Sequence, residues 1–319
     1  MNLSHALKIT YNRIDTRPCG ELRAKGFNML AFCTLDAAQW TQSFTAAEQE
    51  RAIAALEAGQ VVFCPNLRFV FIDSEDKFFS SAWSDGTSKN ISFDATTGQL
   101  KGIRGRASDV AQLAALMGRF ATGTRALLDN LFPAYRDALV QARTSYRPVQ
   151  IKGRAASLAK DDRRLHPDAF VSRPAGDHRI LRIFCNVNPH GQGRVWRLGE
   201  SFEPFARRFL PRIKPPFPGS RTLLYWLRVT RTPRTGYDHY MLGLHNAAKR
   251  DELYQKSCPQ EAFTFPAGST WLCFTDQVLH AVDAGQYLLE QTWLLPVAAM
   301  RSPDQSPQRI IQRLTRRQG

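Results

Sequence analysis

Apolar positions along the chain change their period part-way through. Between Thr45 and Ala58 (TAAEQERAIAALEA) they recur at helical spacing, with Thr45 and Glu48 forming a capping box and Gly59 supplying the stop. QVVFCP follows, a β-branched run closed by Pro65, and then LRFVFID, which reads as a strand. From Ser108 to about Val140, Leu113, Leu116, Met117, Phe120, Leu127, Leu128 and Leu131 return to helical spacing. Gly118, Gly123 and Pro133 are the expected breaks, giving two helices or one kinked helix.

Beyond Tyr146 the pattern turns to short apolar runs parted by Pro, Gly and Asp: RILRIFCNVNP, GRVWRLGE, RTLLYWLRV, AFTFPAGSTWLCFTD and QYLLEQTWLLP. Short strands at this spacing predict a β-sandwich or barrel. The exceptions are YDHYMLGLHNAAKRDELYQ, a helix, LPRIKPPFPGS (210–220), a long loop over the rim, and a basic C-terminal tail expected to be mobile.

Composition excludes some classes. The chain is 43% hydrophobic and 22% charged, enough for a buried core and unlike a disordered protein. Its six cysteines, Cys19, Cys33, Cys64, Cys185, Cys258 and Cys273, contain no CxxC pair, so buried free thiols in a reducing compartment are expected rather than a zinc ribbon or disulfide scaffold. The N-terminal stretch lacks the apolar core of a signal peptide and no run is long enough to span a membrane, which places the protein in the cytoplasm. Forty-three Lys and Arg against 28 Asp and Glu give +15, a field for a polyanion: nucleic acid, an anionic membrane surface, or an acidic lipid or sugar.

Candidate chemistry lies in LHPDAF. His166 and Asp168 are two apart, and residues i and i+2 of a strand share a face. A third ligand is expected from His280, at the end of the β run FPAGSTWLCFTDQVLH. Two His and one carboxylate on one face of an octahedron suit Fe(II) and leave three positions for a bidentate 2-oxoacid and O2. The other histidines read as structural or surface groups: His5 is terminal, His178 and His190 lie in polar turns, and His239 and His245 flank MLGL in the helix.

The order of these segments resembles the Fe(II)/2-oxoglutarate dioxygenase superfamily. LHPDAFVSRPAGDHRILRIFCNVNP, RVWRLGESFEPFARRFLPRI, YDHYMLGLHNAAKRDELYQ and FPAGSTWLCFTDQVLHAVDAGQYLLEQTWLLP look like the bacterial 3-deoxy-D-manno-oct-2-ulosonic acid (Kdo) 3-hydroxylases, over about residues 140–297. The resemblance implies an α+β, mainly β protein: a double-stranded β-helix (jelly-roll) core at 141–300, supporting N-terminal helices and strands at 1–140, and the basic tail at 301–319. It also implies Fe(II), 2-oxoglutarate and O2, and as acceptor a Kdo-lipid A glycolipid at the anionic cytoplasmic face of the inner membrane of a Gram-negative bacterium.

Many superfamily members bind the distal carboxylate of 2-oxoglutarate with an Arg about ten residues after the distal His. Here QYLLEQTW offers Glu290 and Gln291 instead. Arg182, on the strand after Asp168, is the first substitute, Arg197 and Arg147 the next, and Asn186 and Asn188 share the Arg182 face. The clusters Arg207, Arg208, Arg212, Lys214 and Lys160, Arg163, Arg164 are candidates for lipid phosphates. Two alternatives stand: the same oxygenase chemistry on another substrate, and a non-catalytic nucleic-acid or membrane-binding protein in which His166 and Asp168 are incidental.

Overall fold

The structure is a computed structural model that describes residues 32–153, 157–158, 161–170, 174–217, 225–227, 230 and 232–316. His5, Cys19, Lys160 and most of RTLLYWLRV lie outside the described residues. Of that last segment, residues 225–227 form a helical turn instead of a strand.

The first half is β1 (Phe32–Thr34), α1 (Ala46–Glu57), β2 (Val61–Cys64), β3 (Ile91–Asp94), β4 (Gln99–Lys101), α2 (Ala107–Leu131) and β5 (Val140–Arg147). Then come β6 (His178–Asn186), β7 (Arg194–Gly199), α3 (Phe202–Phe209), α4 (Gly236–Arg250), α5 (Glu252–Ser257), β8 (Gln260–Phe265), β9 (Thr270–Phe274), β10 (His280–Ala284), β11 (Leu288–Pro296) and α6 (Pro307–Arg316).

Eight strands form one sheet in the order β1-β2-β9-β6-β11-β5-β3-β4, and three form a second, β10-β7-β8. A single-residue bridge, His166 to His280, extends the second sheet beyond β10. From β5 onward the chain passes back and forth between the sheets, so that neighbours within a sheet are seldom neighbours in sequence. This is the double-stranded β-helix. Its interior is lined from the large sheet by Phe63, Phe184, Trp271 and Leu288, and from the small one by Trp196, Leu198, Phe265 and Val282.

The outer faces are buried by helices. On β6 the period of two sends Leu181 and Ile183 outward, against Leu56 of α1 and Leu127, Leu128 and Leu131 of α2. The small sheet is covered by α3, α4, α5 and α6 through Phe205, Phe209, Leu244, Tyr254, Ile311 and Leu314, over Leu165, Leu279 and Ala281. Strands from both sides of residue 140 pair in one sheet, β3 with β5 among them.

The Thr45–Glu48 capping box is present, and Gly59 follows α1 with φ +77°. The five described cysteines are buried, and Cys64, Cys185, Cys258 and Cys273 are free thiols. Three expectations are corrected. LRFVFID is not a strand: Phe69 and Phe71 are held by aromatic packing, Phe69 against Trp40 and Phe120, while Val70 and Ile72 are exposed. α2 runs unbroken through Gly118 and Gly123, and at Gly123 the missing side chain serves packing, since a Cβ there would stand 3.3 Å from the Trp40 ring. The tail is not mobile over 307–316, because α6 buries Ile310, Ile311 and Leu314 while turning its arginines outward.

Among the described residues no helix is long and apolar enough to cross a membrane. Because Ile311 is 2% exposed, Ile311→Ala should lower stability by about 2–4 kcal/mol in urea unfolding. A tail that does not pack would give no change.

Candidate metal centre

Chain geometry assembles the centre before any side chain is considered. His166 and His280 exchange both backbone hydrogen bonds, N to O at 3.1 Å and 3.0 Å. Asp168 is pinned two residues on, its amide donating to the Thr275 carbonyl at 2.7 Å. The expected strand around His166 is thus a one-residue bridge followed by a tied strap. Gly199 lets the strap pass close, since a Cβ there would stand 2.6 Å from Leu165.

The ligand atoms of His166, Asp168 and His280 all lie within 4.8 Å of one another. His166 Nδ1 donates to the Arg164 carbonyl at 2.6 Å, and His280 Nδ1 to the Val278 carbonyl at 2.9 Å. With Nδ1 committed, each ring keeps its Nε2 lone pair for a metal. His280 is stacked on Trp196, ring centroids 5.1 Å apart, and His166 packs against His245 at 4.9 Å.

Electrostatics keep these ligands in the metal-binding form. Burial, aided by neighbouring cationic and imidazole groups, holds His166 well below the ordinary histidine value; burial also lowers His280 against the pull of Asp168. Burial works against the charge of Asp168, but Arg182, then His280 and His166, hold its carboxyl below the usual range. Two imidazoles and one carboxylate, all deprotonated, on one side of a cavity fit a divalent first-row cation.

The cavity has a volume of about 470 Å³. Arg182 and Arg147 both line it, as expected from the sequence. Arg182 Nη1 lies 3.3 Å from Asp168 Oδ2 and 3.2 Å from Glu290 Oε1, so it is engaged in holding the metal-ligand carboxylate. Arg147 is paired with Glu290 and Asp162.

Arg197 and Asn186 are not brought into the site. Arg197 projects from the other face of β7 to Asp283 and Gln260. Asn186 Nδ2 donates to the Gln192 and Phe265 carbonyls, and its Oδ1 accepts from the Asn188 amide, which fixes the end of β6.

The residue missed from the sequence is Arg194. It shares the inward face of β7 with Trp196, is 1% exposed, and lines the cavity with Nε and Nη1 lacking hydrogen-bond partners. Its stem passes Gly285, where a Cβ would stand 2.7 Å from Arg194 Cγ. Burial, then the charge of Arg147, works against its guanidinium. A buried polar group is ordinarily satisfied, and a planar cationic fork is suited to a carboxylate. His245, read from the sequence as structural, also lines the cavity, and its Nδ1 donates to the Pro167 carbonyl between the two nearer ligands at 2.9 Å.

A profile of the 3-deoxy-D-manno-oct-2-ulosonic acid (Kdo) hydroxylases matches residues 39–318. The chain belongs to the Kdo hydroxylase family. Crystal structures of the Kdo hydroxylase KdoO, a non-heme Fe(II) α-ketoglutarate-dependent dioxygenase, are 49% identical to it and cover 89% of this chain and 96% of theirs. The complex with α-ketoglutarate and Fe(III) superposes with a TM-score of 0.86, and that with cobalt(II) with 0.87. No curated protein matches the chain.

Two predictions test the Kdo hydroxylase site. Arg194→Met should raise the KM for 2-oxoglutarate by about tenfold or more, the loss of a charged hydrogen bond, whereas Arg197→Met should leave it unchanged; steady-state kinetics decide. Because both imidazoles stand below the ordinary value of about 6.5, the unfolded chain takes up protons below that pH which the folded site refuses. The melting temperature of the metal-free protein should therefore fall as pH drops through about 6.5, and bound cobalt(II) should oppose the fall at a given pH.

Proposed function

We propose that the chain is an Fe(II)- and 2-oxoglutarate-dependent hydroxylase that adds oxygen at C3 of Kdo. The observation that carries this reading is the convergence of His166, Asp168 and His280 on one side of a buried cavity, in a chain of the Kdo hydroxylase family. The convergence argues against the alternative in which His166 and Asp168 are incidental.

His166 Nε2, His280 Nε2 and one Asp168 oxygen hold the metal, and Arg194 takes the distal carboxylate of 2-oxoglutarate. Bound together, iron and cosubstrate supply the oxidising power: one atom of O2 enters the sugar while the other enters succinate, with CO2 released. Arg182 steadies the Asp168 carboxylate, Trp196 supports the His280 ring, and His245 holds the strap at Pro167. The apolar walls, Phe184, Val282 and Leu288 among them, exclude water from the bound groups.

The acceptor is proposed to be Kdo on a lipid A precursor, reached from the cytoplasmic face of an anionic membrane. The net charge of +15 and the exposed basic residues Arg207, Arg208 and Arg212 support an acidic glycolipid. Each Lys or Arg near an anionic surface contributes about 1 kcal/mol of attraction, so the association should weaken with salt.

Purified protein loaded anaerobically with Fe(II) and given O2, 2-oxoglutarate and Kdo-lipid A should form succinate and add one oxygen to the sugar, read by mass spectrometry of the lipid. A His280→Ala protein should retain no iron and form no product. Succinate without sugar oxidation would keep the oxygenase and discard the acceptor.

A further inference from the structure

The metal ligands occupy only one end of the cavity. Its wall follows the inward positions of β11 from Leu288 and Glu290, beside the metal ligands, to Thr292 and Leu294, where Ala142 and Arg143 of β5 flank it. Arg143 stands four residues along β5 from Arg147, about 13 Å at the rise of a strand. The reacting sugar, a ring of bonds about 1.5 Å long, cannot fill a track of that length by itself. A second hollow, of about 270 Å³, continues it: Ala142 and Arg143 line both, and Asp94, Thr96 and Gln141 join them in the second.

Strand pairing makes this route polar. Ser92 of β3 lies opposite Ser145 of β5 and Lys101 of β4, and opposed residues share a face of the sheet. Ile91, Phe93 and Tyr146 take the other face, in one cluster with Leu116 and Phe120 of α2. The period of two therefore sends Ser92 and Asp94, with Arg143 and Ser145, to the cavity side. Asn90 lines the cavity just ahead of β3, and its Oδ1 is buried without a hydrogen-bond donor. The ion pair of Arg143 with Asp94, at 3.7 Å, is longer than a hydrogen bond, so both groups keep capacity for a further partner.

We infer that this polar face is a saccharide track, which holds the sugar to which the reacting Kdo is attached. The inference rests on the proposed function, whose acceptor it deepens. Sugar hydroxyls both donate and accept, and the face offers both complements: the Asn90 oxygen and the Asp94 carboxylate accept, the Arg143 guanidinium and Lys101 ammonium donate, and Ser92 and Ser145 do either. A buried amide oxygen is ordinarily satisfied. Neither a metal ion nor dianionic 2-oxoglutarate carries a donor for Asn90, whereas a sugar hydroxyl does. Continuity with the metal cavity is what a glycosidically linked neighbour requires.

The test compares the methyl glycoside of Kdo with the glycan of Kdo-lipid A freed of phosphates and fatty acids, on iron-loaded enzyme. The intact protein should show a KM for the glycan roughly tenfold below that for the methyl glycoside, the effect of a charged hydrogen bond. Arg143→Met, which removes a donor, and Ser92→Leu, which sets an apolar side chain on the track, should each bring the two KM values to within about twofold, with iron content unchanged. Both positions are only half-buried, so the variants should fold. Equal KM values on intact protein, or an undiminished ratio in either variant, would overturn the track while leaving the hydroxylase reading in place. Oxidation of Kdo-lipid A but of neither probe would do the same. If intact enzyme oxidises none of the three, the proposed function and the track fall together.

Discussion

The pair of backbone hydrogen bonds between His166 and His280 is the contact on which the site depends. One residue of ladder joins two segments more than a hundred positions apart, and the side chains of that same pair are the two imidazoles that, with Asp168, could hold a metal. A bridge this short has little stability of its own. It is held by what surrounds it: the Asp168 amide on the Thr275 carbonyl, Leu165 pressed over Gly199, and the Gly199 amide on the Leu279 carbonyl. Backbone geometry therefore sets ligand spacing, and the Nδ1 bonds to Arg164 and Val278 set ring orientation.

Charge within the cavity follows a second constraint. Asp168, Arg182, Glu290, Arg147, Asp162 and Lys89 make an alternating series running away from the metal ligands. Buried pairs of this kind add little net stability, because desolvation offsets their attraction; their effect is to fix where each carboxylate points. Glu290 occupies a stretch in which many 2-oxoglutarate oxygenases carry the cosubstrate's arginine. Glu290 joins Arg182 to Arg147, while Arg194 reaches the cavity from the opposite sheet with Nε and Nη1 unpartnered.

Much of this was legible in the sequence, and the misses have physical causes. The Thr45 cap, the strand runs after Tyr146 other than RTLLYWLRV, and the shared placement of His166 and Asp168 were readable because each is local: a cap box, a period of two, an HxD pair. Arg194 was readable too, by the same period. In RVWRLG the inward aromatic is Trp196, so the residue two before it faces in and Arg197 faces out; the choice of Arg197 ignored that alternation. The failures at LRFVFID, Gly118, Gly123 and the tail are of another kind. Those segments take their state from partners distant in sequence: Trp40 and Phe120 for the first, Trp40 for Gly123, and the packed face of α3 and α4 for α6.

His245 illustrates what a single sequence hides. A histidine in an amphipathic helix looks like surface or packing, and by its contacts it is packing; what matters is the thing packed against. Its Nδ1 holds the carbonyl between His166 and Asp168, and the residue one turn further, Lys249, enters the same cavity. α4 is in turn anchored at its start, where Tyr237 bonds Asp276, itself paired with the fully buried Arg179. Asp276 follows Thr275, the residue that pins Asp168. The helix is thus tied at one end to the turn that fixes the metal strap and touches the strap again at its middle. A shift of α4 cannot leave the ligands undisturbed, so the helical layer over the small sheet is part of the metal centre's support.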